Sequence, residues 1–227
     1  MSINTNQRKG NDVKGWSANG RLASSGRDRH VQQVTPDRHP ATVRKLKPNI
    51  KIATWNVRTM LQKGKLDNIK KEMERLKMNI LGVSEVRWSG AGKIKSGKYE
   101  MYYSSAEHQR GVGIILDQEI GKSVKGYWPL SDRVLLLKIA RKPVDLNIIQ
   151  AYAPTTTSSD EEIEKFYEEL EMAKTQCKSH EPLIIMGDFN AKVGEDRIGN
   201  TAGPHGLGKI NERGERLKML IRQYAKN

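Results

Sequence analysis

Cysteine is almost absent from this sequence, since Cys177 is the only one in 227 residues. An internal disulfide framework is therefore excluded, and a reducing compartment is the expected setting. Long hydrophobic runs are absent too. No apolar stretch approaches the ~18 residues that a membrane-spanning helix needs, and none follows the initial Met as in a secretory signal. We expect a nuclear or cytoplasmic protein that is not secreted and has no membrane partner.

Acidic residues are in the minority: 26 Asp and Glu stand against 40 Lys and Arg, a net charge of +14. Half of that excess lies in residues 1–47, where ten basic residues face three acidic ones. The segment shows neither a helical nor a strand period, so we expect a disordered basic arm at 1–47 and an ordered domain at 48–227. Such an arm is attracted to polyanions, but it is equally typical of a solubilising or targeting extension.

Short apolar runs alternate with amphipathic stretches after residue 48. Period-2 and β-branched patterns predict strands at 50–57, 80–84, 99–104, 112–116, 133–140, 146–152 and 183–186. Helical periodicity predicts helices at 66–76, from a Ser159 to Glu162 capping box through Ala173, and at 217–224. The strands outnumber the helices and cluster between them. This pattern predicts an α/β fold whose sheets are covered by helices.

Polar side chains close three of these strands. Asn56 ends IATWN, Glu85 follows ILGVS, and Asp188 and Asn190 follow LIIMG. Catalytic groups collect at strand ends because the sheet fixes the backbone while the loop leaves side chains free to face a cleft. Mg²⁺ binds one or two carboxylates plus phosphate and water oxygens. Each residue alone has an ordinary reading as a turn or cap residue, but their joint occurrence favours metal or phosphate chemistry.

Ordered motifs of the chain resemble those of the endonuclease/exonuclease/phosphatase superfamily. They are TWNVR at 54–58, SEVRW at 84–88, QAYAP at 150–154 and GDFNAKVG at 187–194. HQRGVGIIL at 108–116 and NERGERL at 211–217 resemble its apurinic-endonuclease-like branch in non-LTR retrotransposons. The resemblance covers about residues 50–225. It implies a four-layer α/β sandwich of the DNase I-like type, with two mixed β-sheets flanked by helices, and cleavage of DNA phosphodiester bonds.

The resemblance also implies a role for each site residue. Glu85 matches the metal-binding carboxylate, and Asn56 matches the residue that orients the metal, Mg²⁺ or alternatively Mn²⁺. Tyr152 matches the tyrosine that faces the scissile phosphate. Asp188 matches the acid that positions or deprotonates the attacking water, and Asn190 the amide that donates to the developing negative charge. These residue types suit in-line phosphodiester hydrolysis.

Two arginines are further candidates. Arg87 and Arg110 are expected to contact a nucleic-acid backbone or base, although stacking of an arginine on Trp88 explains them almost as well. Duplex DNA is the expected partner. The sequence leaves the oligomeric state open.

One family signature is missing. Relatives of this type continue through further strands to a Ser-Asp-His triplet whose His contacts the scissile phosphate. This sequence contains no such triplet, and no His follows Asn211. We therefore expect an N-terminal piece, or a truncated product, of a longer retroelement-like protein, without the last strands of the sandwich. The sequence leaves open whether a reverse transcriptase lies downstream in that parent protein. Its hydrolysis should be impaired because catalytic groups act as a unit.

Three functions are compatible with the fold that these motifs imply. The leading one is a metal-dependent endonuclease domain of retrotransposon type that nicks DNA. The alternative is a catalytically inactive module, derived from it, that binds nucleic acid or protein. A phosphatase or lipid phosphodiesterase is disfavoured, since a small acidic headgroup needs no basic arm. Metal-dependent turnover separates the first two.

Overall fold

The computed structural model describes residues 49–106, 108–195, 197, 199 and 203–224. The arm expected at 1–47 lies outside these residues. Within them the chain forms two sheets, and among the described helices none is long and apolar enough to cross a bilayer.

The first sheet has five strands: β1 (Ile52–Asn56), β2 (Ile80–Ser84), β3 (Gly90–Ser96), β4 (Tyr99–Ser105) and β5 (Val112–Asp117). Their spatial order is β1-β2-β5-β4-β3. Helix α1 (Lys65–Leu76) connects β1 to β2, which are parallel, and the other neighbours are antiparallel. The short helix α2 (Gln118–Gly121) follows β5.

The second sheet has four strands: β6 (Val124–Pro129), β7 (Val134–Ile139), β8 (Leu146–Tyr152) and β9 (Leu183–Asp188). They are hydrogen-bonded in sequence order, antiparallel except for the parallel pair β8 and β9. Helix α3 (Asp160–Thr175) is the crossover between that parallel pair, as parallel strands require. Helix α4 (Glu212–Tyr224) is the last element.

Three apolar clusters stack these elements into four layers. Between the sheets, β5 and β7 bury side chains such as Ile114 and Leu135. On the outer face of the first sheet, α1 buries Ile69 and Met73 against β2, β4 and β5. On the outer face of the second, α3 and α4 cover β7 and β8, with Phe166 at the centre. The expected four-layer sandwich of two mixed sheets is confirmed.

Two strands were not predicted from the sequence. β3 reads GAGKIKS and is mostly exposed, because it is the edge strand of its sheet and needs few apolar residues. β6 reads VKGYWP, where Gly and Pro mask the strand pattern; it too is an edge strand, where Pro is tolerated. Helix α4 begins at Glu212, five residues before the start at 217 that the apolar period predicted.

Candidate active site

Four of the predicted site residues meet at one end of the sandwich. The parallel register pairs Asn56 with Ser84, the residue before Glu85, so these two side chains leave the first sheet at the same edge. In the second sheet the register pairs Tyr152 with Asp188. Strands β1 and β9 pack beside each other across the sandwich. The carboxyl ends of all four strands therefore lie at this end of the sandwich, beside a cleft that Asn56 and Asp188 line.

The side-chain amide of Asn56 lies at the centre of this group. Its Nδ2 donates to Oε1 of Glu85 at 2.8 Å and to Oδ2 of Asp188 at 2.9 Å. Its Oδ1 accepts from the backbone N–H of Arg58 at 3.0 Å, which fixes the orientation of the amide. One amide thus holds two carboxylates from different sheets close to each other.

Glu85 receives two further donors. Arg87 Nη2 donates to Oε2 at 2.7 Å, and the Tyr152 hydroxyl donates to Oε1 at 3.4 Å. Burial raises the pKa of the Glu85 carboxyl, but the hydrogen bonds from Asn56 and Arg87, the charge of Arg87 and the hydrogen bond from Tyr152 outweigh it. The net pKa lies below the ordinary value, so Glu85 is ionised at neutral pH.

Tyr152 is held as a neutral phenol. Burial raises its pKa, and the negative charge of Glu85 raises it further, while Arg133 opposes the shift. A neutral phenol keeps its proton and acts as a hydrogen-bond donor.

Gly187 and Asn190 shape the end of β9 and the loop that follows it. Gly187 has φ 147°, and a Cβ there would lie 1.9 Å from the carbonyl oxygen of Ala151, so only glycine fits. The backbone N–H of Asn190 donates to Oδ1 of Asp188 at 3.1 Å, and its Nδ2 donates to the Ala153 carbonyl at 2.8 Å. These two hydrogen bonds fix the position of Asn190 and, through its backbone N–H, the direction of the Asp188 carboxylate.

Backbone strain is concentrated at these loops. Glu85, Arg87 and Asn190 have φ of 61°, 59° and 46°, and Arg58 has 54°. Non-glycine residues adopt these left-handed conformations at an energetic cost, and such residues cluster at functional sites. Here the strained residues follow closely on the ends of β1, β2 and β9.

The cleft itself is open and has a volume of about 550 Å³. Asn56 and Asp188 line it together with Trp55, Lys192 and Asn211, among others. Trp55 is 47% exposed, which places a large aromatic surface beside the carboxylates. No three His, Cys, Asp or Glu side chains group together in the described part of the chain. The two carboxylates and one amide oxygen offer hard oxygen donors, which suit Mg²⁺ or Mn²⁺ completed by phosphate and water oxygens.

The two predicted arginines differ in position. Arg87 adjoins the site through its ion pair with Glu85. Arg110 does not join the four-residue group; its guanidinium pairs with Glu162 at 2.8 Å and with Asp132 at 3.7 Å.

Sequence reasoning missed a polar layer beneath the site. Gln150, fully buried, donates from Nε2 to Ser84 Oγ at 3.1 Å and lies 3.4 Å from Thr54 Oγ1. Each of these residues precedes a site residue by one or two positions. The signal was present as polar residues on the inward face of apolar strands, where an unpaired polar group is costly. Arg133, beside Tyr152, was missed as well.

Comparison with known proteins agrees with this geometry. The model of the Endonuclease/Exonuclease/phosphatase family matches residues 53–217. Craniofacial development protein 2 of Bos taurus is 40% identical over 168 residues, which are 73% of this chain and 28% of that protein. The protein of the same name from Tragulus javanicus is 39% identical, over 73% of this chain and 29% of its own length. The chain thus spans less than a third of the length of these curated relatives.

Two solved structures share the fold. The endonuclease domain of TRAS1, a telomere-specific non-LTR retrotransposon, has a TM-score of 0.53 at 16% identity and covers 78% of this chain and 71% of its own. The AP endonuclease LMAP from Leishmania major has a TM-score of 0.54 at 13% identity, with 78% and 66% covered. At such identities they establish the DNase I-like architecture. The family model, which matches most of the chain, shows that this protein belongs to the endonuclease/exonuclease/phosphatase family.

Proposed function

We propose that the chain is a metal-dependent endonuclease domain of retrotransposon type, which nicks duplex DNA by hydrolysing a phosphodiester bond in this cleft. The observation that carries the proposal is the Asn56 amide held between Glu85 and Asp188, with the Tyr152 hydroxyl on Glu85. An ordinary structural ion pair joins one cation to one carboxylate. Here an amide bridges two carboxylates beside an open cleft, an arrangement that fold stability does not require.

The donor set supports a divalent cation, Mg²⁺ or alternatively Mn²⁺, held by Glu85 with the help of Asn56. Glu85 is ionised at neutral pH, because its hydrogen-bond donors and Arg87 outweigh the effect of burial. When bound, such a cation neutralises charge on phosphate oxygens and on the leaving group. The rest of the chemistry falls to the side chains of the protein.

Each of the other site residues has a group suited to one step. The Asp188 carboxylate orients the attacking water and accepts its proton, since the backbone N–H of Asn190 fixes its direction. The neutral Tyr152 hydroxyl, whose one hydrogen lies on Glu85 here, turns it to a phosphate oxygen when the substrate binds. Asn190 uses one Nδ2 hydrogen on the Ala153 carbonyl, which leaves the second for the negative charge that develops on the phosphate.

DNA as substrate is supported by charge. The net charge of +14 suits a long polyanion, and the basic segment 1–47 is proposed to add sequence-independent contacts to phosphates. Arg87 and Arg110 are proposed as weaker contacts at the rim. We place the activity in the nucleus or cytoplasm, within a longer parent protein that also carries a reverse transcriptase.

Hydrolysis by these 227 residues is proposed to be slow. They contain no Ser-Asp-His triplet, and loss of one member of a catalytic constellation typically removes several orders of magnitude of rate. A catalytically inactive module that binds nucleic acid or protein through the same cleft is the competing function.

The test is nicking of supercoiled plasmid with Mg²⁺, with Mn²⁺ and with EDTA, beside Asp188→Ala. The matched control is Asp145→Ala, whose carboxylate pairs with Lys125 and does not line the cleft. Nicking that requires the metal and disappears only in Asp188→Ala supports the endonuclease. A folded protein that binds DNA and never nicks it supports the inactive module instead.

A further inference from the structure

Arg133 holds Tyr152 by three separate contacts. Its carbonyl accepts the Tyr152 backbone N–H at 2.8 Å, and its Nη1 donates to the Tyr152 carbonyl at 3.1 Å. Its guanidinium carbon lies 5.5 Å from the centre of the Tyr152 ring. Backbone and ring of the tyrosine are thus both in contact with one side chain.

This arginine is buried in a way that stability alone does not explain. It is 7% exposed, and its ion pair with Glu162, the one it makes among the described residues, is long at 3.8 Å. Burial lowers the pKa of Arg133, and the neighbouring charge of Arg110 adds to that shift. A buried charge with a weak partner is usually no more stable than an apolar residue of similar size. Its contacts with Tyr152 give it a role that an apolar residue would not fill.

The position of Arg133 is itself imposed by the second sheet and α3. Ser131 Oγ accepts the backbone N–H of Arg133 at 3.1 Å and donates to Glu169 of α3 at 2.5 Å. Glu162, in the first turn of α3, faces the Arg133 guanidinium and is held in turn by Arg110 at 2.8 Å. Arg110 belongs to the loop before β5. The Arg133 guanidinium is therefore positioned by residues from α3 and from loops of both sheets.

The geometry points to Arg133 as a positioning residue: we propose that Arg133, oriented by Glu162, sets the orientation of the Tyr152 ring and so keeps its hydroxyl at Glu85. This rests on the proposed function, because Tyr152 matters there as a phosphate-facing donor. Arg133 does not touch the reacting atoms. A hydroxyl 3.4 Å from its acceptor is near the limit of a hydrogen bond, so a small rotation of the ring breaks the contact.

The experiment compares two similar groups of an arginine, a tyrosine and a glutamate, each with its glutamate on α3. In the first, Arg133 lies over Tyr152 and faces Glu162. In the second, Arg216 lies 5.1 Å from the ring centre of Tyr167 and pairs with Glu164 at 2.6 Å, away from the cleft carboxylates. The full chain is labelled on tyrosine with ¹³C, and the ring resonances of Tyr152 and Tyr167 are assigned with Tyr152→Phe and Tyr167→Phe.

Arg133→Met is expected to displace the Tyr152 ring resonance and leave that of Tyr167 in place, while Arg216→Met does the reverse. Glu162→Gln is expected to displace the Tyr152 resonance in the same direction by a smaller amount. An unmoved Tyr152 resonance in folded Arg133→Met overturns the proposal. If Arg133→Met does not fold by circular dichroism, Glu162→Gln decides, and an unmoved resonance there overturns it.

Cleavage of a labelled DNA duplex is the second readout. Arg133→Met is expected to lower kcat roughly 10- to 100-fold with KM changed less than about threefold. A loss confined to KM would make Arg133 a DNA-binding group and would overturn the proposal. Since the resonances do not require turnover, a native chain that cleaves nothing refutes the endonuclease but leaves the positioning role to be decided by the resonances.

Discussion

The side-chain oxygen of Gln150 occupies the space that a Cβ on Gly82 would need, at a distance of 1.8 Å. Gly82 is on β2 and Gln150 on β8, so this contact is made across the two sheets. The missing side chain on one sheet admits a buried amide from the other. That amide in turn bonds Ser84, directly before Glu85.

Gly82→Ala is expected to destabilise the fold by about 2 to 3 kcal/mol, because overpacking a tight core displaces side chains and backbone. Urea unfolding followed by circular dichroism measures the loss. Gly121→Ala is the control: its Cβ would approach the end of the Glu100 side chain no closer than 3.0 Å, and the loss should be clearly smaller. Equal losses in the two variants would contradict a rigid contact at Gln150.

Glu181 is expected to make stability depend on acid pH. Its buried carboxylate accepts from Lys138 Nζ and Asn147 Nδ2, each at 2.9 Å. Burial raises the pKa of Glu181, but these hydrogen bonds and the charge of Lys138 outweigh the effect of burial and lower the pKa to about 2. A depressed folded-state pKa means that this stabilisation is complete above about pH 4.5 and is lost as the pH falls toward 2.

Glu181→Gln should therefore cost about 3 kcal/mol at neutral pH, since it leaves the largely buried Lys138 without its counter-charge. It should also flatten the change in unfolding free energy between about pH 4.5 and 2. Glu74→Gln, which removes an exposed pair with Lys98, is expected to leave the unfolding free energy almost unchanged. A Glu181→Gln profile parallel to that of the native chain would show that Glu181 does not titrate as described.

Asn211 joins α4 to the loop that follows Asp188. Its Oδ1 accepts from the backbone N–H of Lys192 and from that of Gly214, both at 2.9 Å. Asn211→Ala is expected to cost about 1 to 2 kcal/mol, as loss of a helix cap does, and to speed hydrogen exchange across residues 188–195. Ser159→Ala, which removes the α3 cap, should cost a similar amount and leave exchange there unchanged. Unchanged exchange in Asn211→Ala would contradict the link.

Duplex DNA binding is expected to depend steeply on salt. If about six phosphates are contacted, affinity should fall about 10³-fold between roughly 50 and 200 mM salt, because condensed counterions are released on binding. Fluorescence anisotropy with a labelled duplex measures the slope, and a chain that begins at residue 49 tests the contribution of the basic segment. An affinity for duplex DNA that does not change with salt concentration would contradict DNA as the partner.

Local pattern was enough to predict most of the elements. β2 and β8 were predicted with their observed ends, because each is a dense apolar run bounded by turn residues. β3 and β6 were not, since an edge strand is stabilised by pairing with its neighbour and carries little apolar signal of its own. The candidate residues Asn56, Glu85 and Asp188 were found by their place at strand ends.

What the sequence determined by itself is the set of chemical groups and their order: the strand-end carboxylates and amides, the α/β alternation, the excess of positive charge and the family motifs. Tertiary structure alone decided that the Asn56 amide bridges carboxylates of two sheets, that Gln150 fills the space at Gly82, and that Arg133 lies against Tyr152. The reason is physical. Periodicity reports which face of an element is buried, whereas these contacts, between residues 19 to 132 positions apart, depend on how the strands pair and the sheets stack.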